Sequence, residues 1–116
     1  MTKDGIVLTD GQDQVTFNQY SFCELIKYLL VELVGISYEN ASVLVNESHL
    51  ATPVTDVTQV GLLGHELAYY WAMDLYYGNC YWLKGVPAQP EDLDEYIAQE
   101  DRILQRHHLK EPFEWL

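Results

Sequence analysis

The sequence predicts an all-α fold, a compact bundle of about four helices formed by a single helical domain over residues 1–116. Three observations predict it. Apolar residues recur at helical spacing through several segments, proline and glycine fall where those segments would start and stop, and no strand pattern is strong. With 48% hydrophobic residues the chain can build a core without disulfide staples.

Residues 1–15 are polar and interrupted by Gly5 and Gly11. IVLTDGQDQVTF reads either as a short β-hairpin turning at Asp10-Gly11 or as an extended arm. The first clear helix starts at the capping box SFCE, Ser21 to Glu24, with Thr16-x-x-Gln19 as an earlier start. Phe22, Leu25, Ile26, Leu29, Leu30 and Leu33 form its inward stripe, and Gly35 is its left-handed cap.

A second helix is expected from Ser37, with Ile36 and Ala41 as a weak hydrophobic staple and Ala41, Leu44 and Val45 facing inward. The third is expected to be the longest, residues 53 to 77, from Pro53 at its first position to Gly78 as its stop. Val57, Val60, Leu67, Trp71 and Leu75 make its apolar face. Gly61, Gly64, Ala68 and Ala72 make a row of small residues beside it. Each glycine costs a helix about 1 kcal/mol relative to alanine, which implies close packing of another helix or else a kink near Gly61–Gly64.

NCYWLKGVPAQP connects to a last helix starting at Pro90, with Glu91, Asp92, Asp94 and Glu95 at its positive dipole end. Leu93, Tyr96, Ile97 and Leu104 form its inward stripe. The tail, residues 108–116, ends in Phe113, Trp115 and Leu116 and is expected to dock on the body.

The 18 acidic residues against 6 basic ones give a net charge of −12. Such a surface repels phosphate backbones and anionic lipid, so neither nucleic acid nor membrane is an expected partner. No stretch approaches the roughly 20 apolar residues of a membrane span, and the N-terminus lacks a signal-peptide pattern. A cytoplasmic protein is expected, with Cys23 and Cys80 reduced and buried.

GHELAYYW, residues 64–71, opens like the zinc-protease signature H-E-x-x-H, but its fifth position is Tyr69. On a helix His65 shares its face with Gly61, Leu62, Ala68 and Tyr69, which supply no good second zinc ligand. Further ligands would have to come from His49, Cys80, His107 or His108, so no metal is expected. Cys23 is the better reactive thiol, near a helix N-terminus, but has no matched histidine. No nucleophile elbow, phosphate loop or dinucleotide fingerprint occurs, so no catalytic residue, enzyme activity or cofactor is expected. The carboxylates of PEDLDEYIAQED read as a helix start and a solvated face.

The unusual feature is aromatic. In YYWAMDLYYGNCYW, residues 69–82, seven of fourteen residues are Tyr or Trp and none is Phe. Tyrosine needs a partner for its hydroxyl, and Tyr and Trp are favoured at interfaces. The expected function is therefore protein–protein interaction, as an adaptor or inhibitor-like protein with a basic partner, or self-association. Tyr70, Trp71, Tyr77, Tyr81 and Trp82 would be the anchors, with Asp74 and Glu66, eight residues apart on one helix, as the polar rim. The alternative is a small-molecule site in an aromatic pocket near His65.

Overall fold

The structure is a computed structural model that describes residues 2–116. Asp10 begins the first tight turn: its carboxylate accepts from the N–H groups of Gln12 and Asp13 at 3.0 and 2.8 Å, and Gly11 takes φ +95°. The flanking segments pair antiparallel as β1 (Ile6–Thr9) and β2 (Gln14–Phe17), with Ile6 opposite Phe17 and Leu8 opposite Val15. The tail adds β3 (Phe113–Trp115) on the other side of β2, Phe113 opposite Phe17 and Trp115 opposite Val15.

These three antiparallel strands correct the all-α expectation. Together with five α-helices among the described residues they make an α+β fold. The strands are four, four and three residues long, too short for alternation to stand out. β3 also finds its partner at the far end of the chain, where local pattern carries no information.

Helix α1 (Gln19–Leu29) starts earlier than the Ser21–Glu24 box suggests, and its cap comes from elsewhere in the chain. Asp4 accepts from the Ser21 N–H at 2.9 Å and from the Ser21 hydroxyl at 2.8 Å, while Lys3 supplies a carbonyl to Tyr20. The Ser21 oxygen accepts in turn from the Lys110 N–H. The N-terminal arm and the tail are thus both tied to the first turn of α1. Phe22, Leu25, Ile26, Leu29 and Leu30 are buried as expected, but Leu33 is exposed. The helix widens into a π-helical turn over Leu30–Val34, which rotates Leu33 off the stripe before Gly35 caps it at φ +88°.

Helix α2 (Tyr38–Asn46) is capped by Ser37, whose hydroxyl accepts from the Asn40 N–H at 3.1 Å. A short 3-10 turn follows at His49–Ala51, held to α1 by the Gln19 side chain, which donates to the Leu50 and Thr52 carbonyls.

The single helix expected over 53–77 is two helices. α3 (Val57–His65) is capped by Asp56 rather than begun by Pro53, and α4 (Ala68–Tyr77) follows an extended break at Glu66 and Leu67. The small-residue row divides accordingly. Ala68 and Ala72 are buried on α4, which packs against α1. Gly61 has nothing within 4 Å of where a Cβ would stand, and a Cβ on Gly64 would meet the ring of Phe113 at 3.4 Å, not a helix.

Helix α5 (Leu93–Arg106) begins after Asp92, whose carboxylate accepts from the Glu95 N–H; Pro90 lies outside it. Tyr96, Ile103 and Leu104 face inward, whereas Leu93 and Ile97, expected on that stripe, are exposed. Contacts with α2, α4 and α5 enclose α1. Phe113 stacks on Phe17 at 5.2 Å and meets Phe22 edge-on at 5.3 Å, joining the sheet to α1. Among the described residues no helix is long and apolar enough to cross a membrane.

Candidate functional site

The aromatic segment divides into rings that hold the fold and rings that face solvent. Tyr69 and Tyr81 are buried. Their hydroxyls donate to the Pro87 and Ala88 carbonyls at 2.7 and 2.8 Å, pinning the connection that leads to α5. Here tyrosine is used because its hydroxyl satisfies carbonyls of an irregular segment, which phenylalanine could not do. The Tyr96 hydroxyl accepts from the Tyr69 N–H at 2.8 Å and so satisfies an open donor of the first turn of α4.

Tyr81 was expected among the anchors, but it has no accessible surface to offer. Burial pushes its hydroxyl up to about 12, with Tyr69, Tyr70, Glu66 and Asp74 adding to the shift. Trp71 is half-buried, its indole N–H given to the Leu63 carbonyl at 2.9 Å. Tyr70 is half-buried against Trp71 and Tyr81, at 5.0 and 6.0 Å between rings.

The outward part lies at the end of α4 and just beyond it. Cys80 takes a left-handed conformation at φ 56°, and a 3-10 turn runs from Tyr81 to Lys84. Tyr81 points in, while Trp82 is 43% and Leu83 79% exposed. Lys84 donates back to the Tyr77 carbonyl, closing the loop against the helix end. Tyr77 is half-buried beside the exposed ring of Tyr76 at 4.8 Å.

The break between α3 and α4 separates Glu66 from Asp74, so they do not share a helix face as expected. Both nevertheless help to raise the Tyr70 and Tyr81 hydroxyls above their ordinary value: burial contributes most, then Asp74 and Glu66 in the case of Tyr70. His65, Glu66 and Tyr70 converge on an open cleft of about 360 Å³ that Leu67, Pro90 and Leu93 also line. The cleft therefore gathers three of the expected site residues, while Trp71, Asp74, Tyr77, Tyr81 and Trp82 do not line it.

His65 ends α3 and Tyr69 belongs to α4, so the signature that GHELAYYW resembles has no common helix to stand on. Glu66, Glu100 and Glu111 line a smaller cavity of about 180 Å³ with Phe22, Leu25 and Phe113. Among the described residues no three His, Cys, Asp or Glu side chains come together as a metal site would require. Cys23 is buried as expected, its Sγ directed at the Leu50 carbonyl, and burial pushes its thiol up to about 12, the reverse of an activated nucleophile. Cys80, expected to be buried, is exposed.

Sequence reasoning missed the polar group on α1. Glu24 and Lys27 form a buried ion pair, and the Tyr38 hydroxyl donates to Glu24 at 2.6 Å. The available signal was a Glu and a Lys three residues apart in a helix that is otherwise apolar nearly all round. Searches of protein-family models, curated proteins and solved structures found no match to this chain.

Proposed function

We propose that this protein acts by binding a partner protein of basic character through the side chains of Tyr76, Tyr77, Trp82 and Leu83, at the end of α4 and on the turn just beyond it. The observation that carries the proposal is the 3-10 turn at Tyr81–Lys84. A buried Tyr81 anchors it while the neighbouring Trp82 and Leu83 are held out to solvent. A turn whose backbone is already pinned adds no loop-ordering cost on binding, and large apolar side chains displayed on it can dominate an interface. The net charge of −12 favours a basic partner and speeds its encounter.

The test is a pull-down from the native cell with wild type and with Trp82→Ala/Leu83→Ser, the variant first shown by circular dichroism to keep the fold because the Trp82 ring rests on Tyr81 at 5.1 Å. Loss of a basic partner with the variant supports the reading, and identical recovery overturns it. Self-association through the same face would appear as a wild-type mass by light scattering that falls to the monomer in the variant.

A second reading rests on the cleft that brings His65, Glu66 and Tyr70 together. At about 360 Å³ it falls within the range of small-molecule sites. A ligand screen by thermal shift, repeated with Tyr70→Ala, tests it. A hit that is indifferent to this substitution would count against the cleft.

A further inference from the structure

The polar group on α1 sits beside a cavity unrelated to the aromatic face. Glu24 Oε2 and Lys27 Nζ are 2.6 Å apart, with 6% and 8% of their side chains exposed. The two ends of this pair are not equally satisfied. The other Glu24 oxygen accepts from Tyr38 at 2.6 Å, so each carboxylate oxygen has a donor. The ammonium has three donors. Among the described residues its one hydrogen-bonding partner is Glu24, with the Tyr38 ring 5.7 Å away.

Lys27 also lines an open cavity of about 600 Å³ with Thr2, Tyr20, Asn46 and Ala51. Tyr38, Ser42 and Asn46 follow at four-residue intervals on α2 and so share one stripe. Buried donors without acceptors are costly and are ordinarily satisfied by protein, water or ligand.

We propose that this cavity binds a small uncharged molecule, largely apolar, whose carbonyl oxygen accepts from Lys27. Its volume is that of a small-molecule site, and the Tyr20 ring and Ala51 suit an apolar body. Lys27 supplies the charge-assisted donor and Asn46 a second polar contact at the wall. The ligand is uncharged because Glu24 already balances Lys27. A carboxylate would bring an unmatched negative charge close to Glu24 in a chain that already carries −12.

The test is an amide NMR titration of the whole protein with acetanilide, benzamide and acetophenone, against benzoate and propylbenzene as the anionic and acceptor-free comparisons. The expected result is saturable shifts at Tyr20, Lys27, Asn46 and Ala51 with at least one carbonyl compound, about tenfold tighter than either comparison. Ala51→Leu narrows the cavity at its wall and is expected to weaken those shifts. Lys27→Met with Glu24→Gln removes both charges together and is expected to bring the carbonyl compound down to the level of propylbenzene. No saturable shift with any of the three carbonyl compounds overturns the proposal. So does tighter binding of benzoate, or binding that ignores both variants.

Discussion

The Tyr96 hydroxyl on α5 caps the Tyr69 N–H on α4 at 2.8 Å, so one side chain closes the helix start that follows the break at Glu66 and Leu67. Tyr96→Phe keeps the ring and leaves that N–H buried without an acceptor. The expected loss is about 1–3 kcal/mol in urea unfolding. An unchanged midpoint would show that the break is held by other contacts.

Glu100 sets a pH dependence. Burial raises its carboxyl above its ordinary value near 4.5; Asp101 and Glu111 add to the rise and the Tyr96 hydroxyl opposes it. Glu66, from the break before α4, lines the same cavity. The folded chain therefore holds this proton more tightly than the unfolded chain does. The contribution to stability is full below the ordinary value and is lost as pH rises through the raised one. Glu100→Gln is expected to be the more stable protein near neutral pH and to converge with wild type in acid. Parallel unfolding midpoints from about pH 4 to 8 would contradict this sign.

Gly61 separates the packing in the structure from the packing the sequence suggests. Open space surrounds its Cβ position. Gly61→Ala is therefore expected to stabilise α3 by roughly 0.5–1 kcal/mol through helix propensity alone. A helix packed closely on the small-residue row would instead make the substitution destabilising, and thermal unfolding distinguishes the two.

The hydroxyls of Tyr69 and Tyr81 hold the connection at Pro87 and Ala88. Removing either one as Phe is expected to cost about 1 kcal/mol and to speed limited proteolysis within residues 85–90. Cleavage at the wild-type rate in both variants would mean that the connection is fixed by its prolines.

Helices with a complete apolar period were legible in the sequence, as at Phe22 to Leu30 and at Ala41 with Val45. Elements whose stabilising partner is remote were not. The cap of α1 comes from Asp4, β3 needs β2, and the N–H that opens α4 after the break is capped by Tyr96. The aromatic cluster was legible as a departure from ordinary core composition. Its division into buried and exposed rings was not, because it depends on which carbonyls of the following connection reach Tyr69 and Tyr81. Lys27 and Glu24 stood in plain sight as an i, i+3 pair, but only enclosure of α1 on several sides makes them a buried group.

The most direct measurement of the proposed role is the affinity of the recovered partner for three proteins: wild type, Trp82→Ala/Leu83→Ser, and Val43→Ser as a control on the exposed face of α2. The expected result is a loss of about thirtyfold or more for the first variant, wild-type affinity for the control, and weakening with added salt in all three. Equal affinity of all three proteins would contradict the assignment of this face as the partner surface.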